Sequence, residues 1–186
     1  MGLSRFKKVK AAGILLAIVA ALLLAGCYEN PLIEAAKEGN VSKVKDLLSS
    51  GSDVNDVDKE GWTPLIAASW SGRLDVVRLL IEKGADVNAR DNGGGTALMG
   101  AAAKGHTKIV RLLLEHGAEV NVKDKDGSTA LMIPAWKGYL DIVKLLILHG
   151  ADVNARNREG LTALSYSIES GTKQVQTLLI RHGAKK

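Results

Sequence analysis

The chain has 186 residues, of which 46% are hydrophobic and 4% aromatic, and its formal net charge is +5. This hydrophobic fraction excludes an intrinsically disordered chain. Residues 1–26 hold four of the 25 Lys and Arg residues and no acid, which leaves 21 basic against 20 acidic residues, a net charge of +1, in the remainder. A nucleic-acid-binding function is therefore not indicated, because it requires a clustered basic face.

The first 26 residues have the three parts of a secretory signal peptide: the basic segment Met1–Lys10, the apolar run Ala11–Leu24 and a small-residue cleavage site. A helix over that apolar run would be ~21 Å long, which is short of the ~30 Å hydrocarbon core and argues against a permanent transmembrane anchor. The ending Leu-Ala-Gly-Cys27 resembles a bacterial lipobox. That resemblance implies that residues 1–26 are removed and that Cys27 carries acyl chains such as palmitate. An ordinary secretory signal with a chance cysteine is the alternative.

Residues 27–30 form a short predicted tether that reaches at most ~14 Å. We therefore expect the folded domain to lie close to a membrane, which it contacts through the lipid on Cys27. Tyr28, which follows the cysteine, is not the aspartate that resembles an inner-membrane retention signal. The expected location is the bacterial cell envelope, at the outer membrane and facing the periplasm.

Beyond the tether, the sequence repeats with a period of 33 residues, and the segment Asp58–Arg90 shows the unit. A glycine, a leucine and an asparagine recur in register at Gly51, Gly84, Gly117, Gly150 and Gly183, at Leu32, Leu65, Leu98, Leu131 and Leu164, and at Asn55, Asn88, Asn121 and Asn154. We number five copies in chain order: Asn30–Val57, Asp58–Arg90, Asp91–Lys123, Asp124–Arg156 and Asn157–Ala184.

Each copy predicts two helices and a polar loop. In copy two, Thr63 is a good N-cap and Pro64 occupies the first helical position, where its missing N–H has no cost. A short helix with small side chains follows and ends near Gly72. A more apolar helix begins at Leu74 and ends at Gly84.

The motifs Thr-Pro-Leu, the paired alanines, Val-Val-x-Leu-Leu-Ile and Gly-Ala-Asp-Val-Asn-Ala resemble the ankyrin repeat. The resemblance implies an all-α ankyrin-repeat solenoid of five helix-turn-helix repeats with hairpin-like connecting loops, over residues 30–186. Copies one and five are expected to act as caps, because their exposed sides carry more polar residues. The resemblance also implies that a protein partner binds the concave face.

Two departures from the ankyrin pattern produce local expectations. The family's histidine in Thr-Pro-Leu-His is replaced by Ile66, Met99, Met132 and Ser165, which favours an apolar stripe. Pro134 stands where copies two and three have Ala68 and Ala101. Because proline removes a helical hydrogen bond, we predict a kinked or short helix between Thr129 and Lys137.

The sequence does not indicate an enzyme, a cofactor, a metal site or a small-molecule substrate. His116, His149 and His182 recur at one repeat position, so they form a row with ~10 Å spacing that cannot converge on one metal ion. His106 has the structural role that the ankyrin pattern implies for it. The run Asp124–Gly127 does not continue into the spacing of a calcium loop.

All three tryptophans, Trp62, Trp70 and Trp136, lie at positions that project onto the concave face of ankyrin repeats. Trp70 and Trp136 are equivalent residues two copies apart, with Ala103 between them, which predicts two aromatic walls ~20 Å apart over a shallow floor. A mixed-charge rim is expected from Lys59, Glu60, Lys104, Lys125, Asp126, Lys137, Arg158 and Glu159. Such a composition is typical of a protein-binding site. Alternatively, each ring only covers its neighbouring repeat.

These features together predict a membrane-anchored module that binds a periplasmic or envelope protein, either to protect an enzyme or to act as immunity against a toxin. The alternative is a structural or self-associating envelope lipoprotein that has no dedicated partner.

Overall fold

The computed structural model describes residues 30–185, in which ten α-helices form five consecutive pairs, one pair for each copy. The first helices are α1 Pro31–Glu38, α3 Pro64–Trp70, α5 Ala97–Lys104, α7 Met132–Lys137 and α9 Ala163–Glu169. The second helices are α2 Val41–Ser49, α4 Leu74–Glu82, α6 Thr107–Glu115, α8 Leu140–Leu148 and α10 Lys173–Arg181. The predicted all-α architecture of paired helices is confirmed over the described residues.

The predicted signal peptide, Cys27 and all of the tether except Asn30 lie outside the described residues. Within the described range, every helix is too short or too polar to cross a membrane.

A threonine cap begins three of the first helices. The side-chain oxygens of Thr63, Thr96 and Thr162 accept a hydrogen bond from the backbone N–H three residues later. Each cap satisfies one of the donors that the first turn of a helix leaves unpaired. In copy five, the predicted apolar stripe is interrupted, because Ser165 completes a capping box with Thr162.

The second helices hold much of the core because their apolar residues recur at helical spacing. In α6, for example, Ile109, Val110, Leu112 and Leu113 are all buried. First helices pack on neighbouring first helices and second helices on neighbouring second helices, so one hydrophobic core runs from copy to copy.

Polar side chains also join consecutive copies. Asn88 accepts a hydrogen bond from the backbone N–H of Glu119 at 2.9 Å and donates to the carbonyl of Gly117 at 3.1 Å. His106 has a ring nitrogen 3.2 Å from the carbonyl of Trp70, and its ring lies over Gly72, where an added Cβ would be 2.6 Å from the ring. Since the carbonyl can only accept, Nε2 of His106 is the donor. Its role in the fold is structural, as the sequence predicts.

Helix α7 is short, as predicted from Pro134. It has six residues, whereas the other first helices have seven or eight. It begins at Met132, two residues later than the equivalent helices, and the backbone N–H of Met132 donates to the carbonyl of Thr129 at 3.2 Å. The side-chain oxygen of Thr129 is buried and has no hydrogen-bond partner among the described residues. Pro134 therefore displaces the first turn and removes the threonine cap.

Copy five exposes apolar side chains at the end of the stack. Ile168 on α9 and Ile180 on α10 are 51% and 53% exposed. At the equivalent positions, Ala102 and Leu114 of copy three are buried. The cap function of copies one and five stays a prediction, and the outer side of copy five is less polar than a cap requires.

Candidate functional site

A cavity of about 200 Å³ opens on the surface that the first helices and their loops form, which we call the inner face. Its walls come from copies two, three and four. We call it the inner cavity and define it by its lining: Trp62, Ile66, Trp70, Asp91, Gly95, Thr96, Met99, Gly100, Ala103, Asp124, Ser128, Thr129, Ala130 and Ile133.

The inner cavity coincides with small residues of copy three at positions where at least one neighbouring copy has a large residue. Gly95 is equivalent to Trp62, and Ala103 is equivalent to Trp70. Helix α5 also has fewer residues in close contact with α7 than with α3. The small side chains of copy three therefore form the floor, while the large side chains of copies two and four form the walls.

Two tryptophans form the wall on the copy-two side. The ring centroids of Trp62 and Trp70 are 5.7 Å apart with an interplanar angle of 60°, a tilted arrangement that is favourable for aromatic pairs. Trp70 is 39% exposed, and Nζ of Lys104 lies 4.2 Å from its ring centroid. Nζ of Lys37 lies 5.9 Å from the ring of Trp62. The aromatic pair is thus held between two lysines by cation–π contacts.

The polar lining comes from loops and carries negative charge. Oδ1 of Asp91 accepts hydrogen bonds from the backbone N–H groups of Gly93 and Gly95, both at 2.8 Å. Oδ1 of Asp124 accepts in the same way from Asp126 at 2.9 Å and Ser128 at 2.8 Å. Neither aspartate forms an ion pair with any of the described residues.

Among the predicted site residues, the structure brings together Trp62, Trp70 and Lys104. Trp136 is 45% exposed and is not part of the lining of the inner cavity, where the opposite wall is Ile133. Nζ of Lys137 donates to the carbonyl of Ala103 at 3.1 Å, so this residue joins copies three and four. Trp136 therefore does not line this cavity, and its role as a second aromatic wall of the partner site stays a prediction.

Six of the eight predicted rim residues lie in the loops, whereas Lys104 and Lys137 are the last residues of α5 and α7. Lys59 and Glu60 form an exposed ion pair with 3.7 Å between Nζ and Oε1. Lys125 donates its backbone N–H to the carbonyl of Gly93 at 2.8 Å, and Arg158 donates its backbone N–H to the carbonyl of Asp126 at 2.8 Å. These backbone contacts hold neighbouring loops side by side, and the role of their side chains in partner binding stays a prediction.

Sequence reasoning missed Asp91, Asp124, Thr129, Gly100 and Ile133 as parts of one site. The available signal was the change of residue size at equivalent positions, from the small Ala67 and Gly100 to the large Ile133. The tryptophans stand out because they are larger than their equivalents in other copies. The cavity depends equally on residues that are smaller than their equivalents.

The histidines behave as donors at helix ends. Nδ1 of His116 and of His149 lies 2.8 Å from the carbonyl four residues earlier, so Nδ1 carries the donated proton. Over the described part of the chain, no group of three His, Cys, Asp or Glu residues is arranged to hold a metal ion.

The family model for ankyrin repeats matches the chain three times, over residues 8–91, 90–157 and 124–186. The chain belongs to the ankyrin-repeat family. No curated protein matches it. Ankyrin-repeat domains are typically modules for protein–protein interaction, and this membership indicates a protein–protein interaction module here.

Proposed function

We propose that this ankyrin-repeat protein is anchored to the bacterial envelope by a lipid on Cys27 and binds one envelope protein through its inner face. The observation that carries the proposal is the exposed Trp70, which is fixed by Trp62 and Lys104 at the edge of a cavity. Tryptophan beside a well-packed pocket is typical of the residues that dominate binding energy. Because the solenoid forms this surface before binding, little ordering cost opposes association.

Lipid anchoring is supported by the basic, apolar and Leu-Ala-Gly-Cys segments of residues 1–27. Metabolic labelling with a palmitate analogue tests it directly. The full chain should incorporate label and fractionate with membranes, whereas Cys27→Ala should lose both. A labelled Cys27→Ala variant, or an unlabelled parent chain, would contradict the anchor.

Partner binding is tested by site-specific photo-crosslinking in the native envelope. A photoreactive residue in place of Lys104, beside Trp70, should capture one protein in a defined ratio. Leu148 is the matched control, because it is 79% exposed and lies on a second helix, away from the inner face. Equal capture from both positions would contradict binding through the inner face. The identity of the captured protein, a toxin or an envelope enzyme, separates immunity from protection.

A second candidate is a structural role through self-association, which the exposed Ile168 and Ile180 favour. Sedimentation of the full chain in detergent tests it. If the end of the stack pairs with another copy, replacing both isoleucines by lysine should convert oligomers to monomers. A monomeric parent chain at all concentrations would exclude this candidate.

A further inference from the structure

The inner cavity combines apolar walls with two carboxylates that make no ion pair among the described residues. Trp70, Met99 and Ile133 provide the apolar walls, and the loops of copies three and four provide Asp91 and Asp124. The two loops are adjacent, since the backbone of Lys125 bonds to the carbonyl of Gly93, and a Cβ added at Gly94 would lie 3.2 Å from Cα of Asp124. Both carboxylates therefore belong to one local region.

The loop structure does not require these negative charges. Copy five has Asn157 at the equivalent position, and its neutral amide oxygen accepts the same two bonds, from Glu159 at 3.1 Å and from Leu161 at 2.8 Å. In Asp91 and Asp124 only Oδ1 is used for these bonds. Oδ2 of each accepts nothing from the described part of the chain and is available as an acceptor.

Thr129 provides an independent observation. It lines the same cavity, is 6% exposed, and its hydroxyl oxygen has no partner among the described residues. Buried polar groups are ordinarily hydrogen-bonded, so this hydroxyl, whose oxygen is itself buried, is an unpaired polar group in the wall of the cavity. Together with Oδ2 of each aspartate, it gives the residues that line the cavity three polar atoms without a hydrogen-bond partner among the described residues.

We propose that the inner cavity receives a basic side chain, arginine in preference to lysine, from the protein partner. This proposal rests on the proposed function. The apolar stem of the side chain packs on Trp70, Met99 and Ile133, and the charged head reaches the loop side of the cavity. A guanidinium has five N–H donors in a planar fork, which suits several separate acceptors better than a compact ammonium does.

Lys104 determines which part of the cavity the charged head uses. Its Nζ already covers one face of Trp70, at 4.2 Å from the ring centroid. A second cation on that side would be repelled. The charged head is therefore directed away from Lys104 and toward Asp91 and Asp124.

The test is a fluorescence and NMR titration of the full chain in detergent with N-acetylarginine methylamide. The matched neutral probe is N-acetylcitrulline methylamide, which has nearly the same shape without the charge. The arginine probe should saturate in the millimolar range, perturb the signals of Trp62 and Trp70, and bind at least about tenfold more tightly than the citrulline probe.

Three variants locate the binding. Asp91→Asn and Asp124→Asn should each weaken the arginine probe by about tenfold, because they retain the loop bonds and remove the charge. Asp58→Asn is the matched control, since Asp58 accepts the same loop bonds in copy two but is not part of the cavity lining, and it should bind like the parent chain. Ala103→Leu, which fills the floor, should abolish binding.

The proposal is overturned if the arginine probe does not saturate, if citrulline binds equally well, or if Asp58→Asn weakens binding as much as Asp91→Asn. The titration contains no partner protein. It therefore fails or succeeds separately from the crosslinking experiment that tests the proposed function.

Discussion

The junction between α3 and α5 is filled, whereas the equivalent junction between α5 and α7 is open, although the same framework residues build both. At the first, Trp70 lies over Gly100, where an added Cβ would be 3.4 Å from the ring. At the second, the small Ala103 faces the large Ile133 across the inner cavity. The difference shows that framework residues determine how copies stack, while the pairing of large and small residues determines whether the inner face is closed.

Pro134 increases this difference. It displaces the first turn of α7 and leaves the hydroxyl of Thr129 unpaired at the cavity wall. In copies two, three and five, which have no proline at this position, the threonine cap is present. The open junction therefore has a backbone cause as well as a side-chain cause.

The largest expected effect comes from removing the large residue of the filled junction. Trp70→Ala should lower the free energy of unfolding by about 3 kcal/mol, because it removes ring packing, the contact with Trp62 and the cation–π contact with Lys104. Trp136 has a similar exposure but no paired aromatic ring among the described residues. Trp136→Ala should therefore lower the free energy of unfolding by about 1 kcal/mol less than Trp70→Ala does. Urea unfolding measures both, and equal losses would contradict the distinction between the two tryptophans.

The two junctions should respond differently to the same enlargement. Gly100→Leu should destabilise the protein by about 2 kcal/mol, since the new Cβ would already be in van der Waals contact with Trp70, 3.4 Å away, and the rest of the side chain must displace the ring. Ala103→Leu should change stability by less than about 0.5 kcal/mol, because the cavity accommodates the added methylenes. If Ala103→Leu proved the more harmful of the two in thermal unfolding, the description of filled and open junctions would be wrong.

Restoring the first turn of α7 should make the open junction between α5 and α7 more similar to the filled junction between α3 and α5. Pro134→Ala should raise the free energy of unfolding by about 1.5 kcal/mol, because it returns one helical hydrogen bond and permits the Thr129 cap. The cap is isolated by a double-mutant cycle with Thr129→Val, measured by urea unfolding. In the parent chain the valine should leave stability unchanged or raise it by up to about 1 kcal/mol, because it removes an unpaired hydroxyl, whereas in the alanine background it should cost about 1 kcal/mol. The same effect in both backgrounds would show that Pro134 does not disrupt the cap.

The smallest expected effect concerns Ser69, which is 0% exposed and whose hydroxyl has no partner among the described residues. Ser69→Ala should raise the free energy of unfolding by up to about 1 kcal/mol, because it removes an unpaired polar group. Copies three and four already have Ala102 and Ala135 at this position. Loss of stability on calorimetry would mean that the hydroxyl has a stabilising contact.

Much of the fold could be predicted from residues that recur. The threonines before the first helices and the spacing of Val76, Val77 and Leu80 indicate helix ends and core positions by local rules. Pro134 also acted through a local rule, since proline lacks the N–H that a helix interior uses. The inner cavity could not be predicted from such local rules. Its lining depends on contacts between different copies, such as that of Trp70 in copy two with Gly100 in copy three, and neither residue alone indicates the contact.

The sequence by itself determined the 33-residue unit, the all-α solenoid and the short helix at Pro134. Helix periodicity, capping and proline geometry depend on neighbours along the chain. Only the tertiary structure decided that Asp91, Asp124 and Thr129 line the same cavity as Trp70. Trp70, Asp91 and Asp124 belong to copies two, three and four and are separated by tens of positions in the chain, and stacking of the copies brings them together. Their chemistry as a site therefore depends on packing between copies, which the repeated unit does not contain.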